Sequence, residues 1–100
     1  MTLIIKFHES YRNVVALADS DLIDKKFEEG KLQLDLTTTF YKGKEISQEN
    51  AIQTLQIQAG EDSTFNIIGP MAVDAAKKAG IIKDDQISTV DNIPFAISLI

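Results

Sequence analysis

One hundred residues, 44% hydrophobic and 25% charged, fit one domain with one core and an ordinary water-facing surface. The absence of cysteine excludes disulfides, thiolate metal sites and cysteine nucleophiles. A formal charge of −5 weighs against a protein held to nucleic acid mainly by phosphate contacts, while leaving room for a local basic patch.

The opening Met-Thr-Leu-Ile-Ile-Lys-Phe-His turns polar too soon for a signal peptide. The wholly apolar runs are too short to span a bilayer. With no cysteine either, the expected location is the cytoplasm. Residues 1–100 show no linker, repeat or low-complexity tract, which predicts a single domain.

Thr2 to His8 is apolar and β-branched, with Leu3, Ile5 and Phe7 alternating against Ile4 and Lys6, and predicts a strand. Glu9 to Asn13 is a connector of hairpin length. Val14 to Ala18 predicts a second strand, antiparallel to the first. Asp19 or Ser20 then caps a short helix with Leu22, Ile23 and Phe27 as its apolar positions. Glu29-Gly30 marks a turn. From Lys31 to Leu36, Leu32, Leu34 and Leu36 alternate with Lys31, Gln33 and Asp35, the pattern of a half-buried strand.

Thr37 to Lys44 reads either as a helical turn or as an irregular loop closed at Gly43. Ser47 begins a helix with Ile52 and Leu55 on one face, ending at Gly60. Glu61 to Thr64 is loop, and Phe65 to Ile68 a short buried strand. A helix follows from Pro70 to Ala79, with Gly69 as N-cap and Gly80 just past its end. Gln86 to Val90 and Phe95 to Leu99 read as extended segments separated by Asp91-Asn92-Ile93-Pro94. Strands first, then helices, then short strands argue an α+β fold: a mixed or antiparallel sheet with two to three helices. The expected core is Leu3, Ile5, Leu17, Leu32, Leu34, Leu55, Phe65, Ile67, Val73 and Ala76.

Glu29-Gly30-Lys31-Leu32, Phe40-Tyr41 followed by Gly43, Asn66-Ile67-Ile68-Gly69, Ala72-Val73 with Gly80-Ile81-Ile82, and Ile93-Pro94 followed by Ala96 form an ordered series. In this series the chain resembles, over nearly its whole length, the archaeal family of small uncharacterised proteins called domain of unknown function 424. The resemblance implies an archaeal cytoplasmic protein and supplies no activity. Two departures stand out. Where the family often has glycine before a lysine, this chain has Asp24-Lys25. Where a histidine often follows the late proline, it has Phe95. Any chemistry carried by that histidine is missing here.

The candidate sites are few. His8, the only histidine, offers a lone imidazole. No Gly-x-Ser-x-Gly elbow accompanies it, so a serine triad is not indicated and no catalytic residue is assigned. Asp19-Ser20-Asp21 and Asp84-Asp85 lack the spacing and turn glycine of a calcium loop, and helix capping or solvation accounts for them; no metal site and no cofactor is expected. Lys31, Lys42 and Lys44 border Phe40 and Tyr41, an aromatic–basic stretch suited to a partner or to single-stranded nucleic acid. Lys31, Tyr41, Lys42 and Lys44 are therefore the expected partner-binding residues, beside the simpler reading of Phe40 as core and the lysines as solvated.

At the start of the second helix, Gly69, Met71 and Ala72, with the Asn66 amide, are the expected anion-binding residues. Pro70 contributes no donor there, and glycine also simply allows close packing. The functional expectation is a non-enzymatic binding or adaptor protein in archaeal information processing, acting on a protein or ribonucleoprotein partner. The alternative is a small-molecule-handling enzyme with a pocket near Asn66 and Gly69. The sequence leaves direct nucleic-acid binding and oligomeric state open.

Overall fold

The computed structural model describes residues 2–9 and 11–98, with the side chain of residue 98 left aside. β1 (Leu3–His8) and β2 (Val14–Asp19) pair antiparallel, Leu3 opposite Asp19 and His8 opposite Val14. A single 3-10 turn, Ser20–Leu22, follows β2. β3 (Lys26–Glu29) and β4 (Leu32–Asp35) form a separate hairpin. A second 3-10 turn (Thr39–Tyr41) leads into β5 (Lys44–Ile46), which pairs with Leu3 to Ile5 of β1. Then come α1 (Gln48–Gly60), β6 (Thr64–Ile68), α2 (Pro70–Ala79), a 3-10 turn (Asp84–Gln86), β7 (Ser88–Val90) and β8 (Ile93–Ser98). The main sheet has six strands in the order β5-β1-β2-β6-β8-β7. It is mixed, because β2 and β6 run parallel while its other neighbours run antiparallel. The fold is α+β, as expected.

Both helices pack on one face of this sheet. Alternation along the strands delivers Leu3, Ile5, Val15, Leu17, Phe65, Ile67 and Ala96 to that face. They meet Ala51 and Leu55 of α1 and Ala72, Val73, Ala75 and Ala76 of α2. The alanines let α2 lie close to the strands. α1 starts where Ser47 caps it, its hydroxyl accepting from the Asn50 N–H at 3.1 Å. Gly80 ends α2 in the left-handed conformation, φ 79°, as the sequence indicated. The opposite face is covered at one end only. There Ala18, Ile68, Ile93 and Phe95 meet Leu22, Leu34 and Leu36 from the hairpin and its flanks.

Three expectations need correction. The helix predicted after Asp19 is only the 3-10 turn Ser20–Leu22, and Phe27 lies in β3. Asp24, at φ 69°, takes the left-handed backbone that ends any helix there. Leu32, expected in the core, is 55% exposed, whereas Leu34 and Leu36 are buried. Its cross-strand partner is Glu29, beside the Gly30-Lys31 turn at the tip of the hairpin. The separation between the last two strands is shorter than Asp91-Asn92-Ile93-Pro94: Asp91 and Asn92 alone turn, both with positive φ, and Pro94 pairs with Thr89 inside β8. The short β5 and the 3-10 turn before it resolve the ambiguous segment from Thr37 to Lys44. Leu99 lies outside the described residues.

Candidate functional site

The start of α2 does meet an anion, and the anion belongs to the chain. β2 ends at Asp19 and the parallel β6 ends just before Gly69, so the two carboxyl ends lie side by side. Asp19 is 3% exposed. Its carboxylate accepts from the Met71 N–H at 3.1 Å and from the Ala72 N–H at 2.8 Å. These are the donors expected to face solvent for an outside anion. An internal carboxylate at a helix N-terminus satisfies the orphan N–H groups and complements the dipole. Burial still pushes the Asp19 carboxyl above its ordinary value; the two N–H donors and, from the other side, the neighbouring Asp21 charge modify that shift.

Gly69 makes this contact possible. Its φ is 111°, and a Cβ on it would lie 2.5 Å from the Asp19 carboxyl carbon. Nearby, the Gln48 amide donates to the Met71 carbonyl at 3.3 Å and to the Asp74 carboxylate at 2.9 Å, tying α1 to α2. Asp74 also pairs with Lys78 at 3.0 Å. Asn66 is half-buried and turned to the other face of the sheet, where its side chain hydrogen-bonds with Tyr41. Gly69, Met71 and Ala72 are therefore one structural junction, from which Asn66 stands apart.

The aromatic–basic stretch also folds inward in part. Burial raises the Tyr41 phenol, with the Asn66 bond opposing the shift. Phe40 stacks on His8 with ring centroids 4.1 Å apart and planes 8° from parallel. The His8 Nε2–H donates to the Phe40 carbonyl at 2.8 Å; a carbonyl only accepts, so this nitrogen carries the proton. Lys6 donates to the Thr39 carbonyl at 3.0 Å. Lys42 pairs with Asp24 at 2.9 Å. Lys44 is exposed on β5, and Lys31 is exposed in the hairpin turn far along the chain from both. The structure thus gathers Tyr41, Lys42 and Lys44 around one turn, and adds Lys6, which the sequence reading missed. In the sequence Lys6 is only the polar side of a strand; nothing in the spacing points it at a loop more than thirty residues away.

Two concavities meet at Phe7, whose side chain is 50% exposed. One, about 290 Å³, is lined by Ile5, Lys6, Phe7, Gly43 and Lys44. The other, about 220 Å³, is lined by Phe7, His8, Glu9, Asn13, Val14 and Gln58. Gly43 shapes the first: a Cβ there would lie 2.0 Å from the Ile5 carbonyl oxygen, so the loop lies directly against β1. Among the described residues, no group of three or more histidine, cysteine or acidic side chains is placed to hold a metal ion. Nor is any helix long and apolar enough to cross a membrane.

A solved structure described as an uncharacterized conserved protein from Methanopyrus kandleri shares this fold. It is 21% identical, with a TM-score of 0.88, over 97% of this chain and 90% of that one. Comparison with curated proteins found no match. The model of the family described as Protein of unknown function (DUF424) matches residues 7–99, and the chain belongs to that family.

Proposed function

We propose that this member of the DUF424 family is a cytoplasmic binding or adaptor protein in archaeal information processing, engaging a protein or ribonucleoprotein partner. The observation that carries the reading is the surface around Phe7: a half-exposed aromatic ring on the same side of the sheet as the exposed Lys44, at a mostly apolar concavity lined also by Ile5, Lys6 and Gly43. Exposed aromatic rings beside cationic groups are what partner surfaces are built from. The groups that acid–base chemistry would require are bonded within the fold instead. His8 holds the Phe40 carbonyl, and Asp19 holds the start of α2.

The test is affinity capture on the tagged protein from lysate of its native cells, with and without nuclease. The wild type should retain a defined set of proteins. The Lys42→Glu, Lys44→Glu double variant should lose them at unchanged thermal stability. Identical recovery by both proteins would rule this surface out. Nuclease-sensitive recovery would identify a ribonucleoprotein, and nuclease-resistant recovery a protein.

A further inference from the structure

β5 covers the outer edge of β1 only from Leu3 to Ile5, while β1 runs on to His8. Among the described residues no strand pairs with that edge beyond Ile5. The Ile5 carbonyl points outward, since Gly43 lies directly against it. Main-chain polar groups two residues apart on a strand point the same way. The N–H and C=O of Phe7 therefore face outward too, along an open sheet edge. Such an edge is a template for another extended chain.

We propose that this edge binds an extended segment of a partner protein by strand addition, with apolar side chains against Phe7 on the helix side of the sheet, an acidic side chain at the end next to Lys44, and acidic side chains toward Lys6 on the opposite side. The inference rests on the binding role above and names the partner's chemistry. The residues lining the larger concavity include two lysines and no acid, which sets the charge of the occupant. The main-chain donor and acceptor of Phe7 match a peptide rather than a nucleotide. A second copy of this chain paired edge to edge would bring its own Lys6 and Lys44 to the same place, like charge against like. Gly43 lets its loop lie against β1 because it carries no side chain that would strike the Ile5 carbonyl.

The experiment is titration of nitrogen-15-labelled full chain with acetyl-Asp-Ile-Asp-Val-Asp-amide, read by amide shifts. Saturable shifts should be confined to residues 5–9, 43, 44 and 58. The lysine counterpart, acetyl-Lys-Ile-Lys-Val-Lys-amide, and the Lys44→Glu variant should each weaken binding by about tenfold or more. Phe7→Ala should abolish it. N-methylation of the peptide's central residues should abolish it as well, since strand pairing needs those N–H groups.

The proposal is overturned by absent or scattered shifts at millimolar peptide, or by an equal response to the lysine peptide. It is also overturned if an eight-nucleotide oligouridine gives this footprint more tightly than the peptide, or if these residues shift with protein concentration as a dimer forms. Loss of partner capture in the lysine double variant alongside peptide failure would leave the binding role standing and remove only this mode.

Discussion

The two faces of the sheet are finished in different ways. On the helix side, Leu3, Val15, Leu17, Phe65 and Ile67 reach 0% exposure beneath α1 and α2. On the other side a short hairpin and two 3-10 turns cover one end, and Ile97 stays 63% exposed. Two helices of 13 and 10 residues supply a broad apolar cover; a hairpin of four-residue strands does not. The second face therefore keeps Lys6, His8 and Asn66, each satisfied by the loop through Tyr41. The first face supplies most of the buried core, with Phe7 and Lys44 at its margin, and the other keeps polar and aromatic groups.

The largest expected effect tests the boundary within the hairpin itself. Leu34→Asp should cost on the order of 5 kcal/mol and unfold the chain, because it buries an unpaired charge. Leu32→Asp, two residues away and 55% exposed, should shift urea-denaturation stability by less than about 0.5 kcal/mol. Equal losses would show that the hairpin tip packs down after all.

Next, Phe65→Ala should cost about 3–5 kcal/mol, as for a large buried ring, whereas Phe95→Ala on the opposite face should cost about half as much. Phe65 is fully buried and Phe95 only partly. If calorimetry gave the same cost for both, the two faces would be equivalent in packing.

The junction at the ends of β2 and β6 should rank third. Asp19→Ala leaves the Met71 and Ala72 N–H groups without their acceptor and should cost about 2 kcal/mol. Gly69→Ala should cost a similar amount, and the double variant less than the sum, since both break one contact. The pH dependence has a definite sign. The folded Asp19 carboxyl sits above its ordinary 3.8, so its titration favours the fold fully below that value. That contribution is lost as pH rises through the folded value. Wild type should therefore lose ground to Asp19→Asn as pH rises from acid toward neutral, measured by urea denaturation at each pH. Asp35 and Asp74 run the other way: bonds to Thr37 lower the first, and Lys78 and Gln48 lower the second. Their contributions are present above the ordinary carboxylate value and fade in acid.

The smallest effect concerns Asp24. Asp24→Gly relieves a left-handed φ but loses an exposed ion pair to Lys42 and adds freedom to the unfolded chain. The net should be a stabilisation of no more than about 1 kcal/mol, visible as a small rise in Tm. A clear loss would mean that the Asp24–Lys42 pair anchors the turn through Tyr41.

Local pattern in the chain determined α2 to the residue, from Gly69 and Pro70 to Gly80, because caps and backbone conformation are properties of neighbouring residues. It likewise determined β1, β2, β6 and the start of α1, where alternation or a serine cap is strong. Tertiary structure alone decided what lies across the sheet. That Asp19 would leave its own 3-10 turn uncapped and cap a helix more than fifty residues on follows from the parallel pairing of β2 with β6. That Leu32 would be exposed while Leu34 is buried follows from where the hairpin ends, not from its alternation. The open edge at Phe7 exists because β5 begins only at Lys44, opposite Ile5. Each depends on distant partners meeting, and hydrogen-bond acceptors, sheet edges and apolar cover are assigned only when they do.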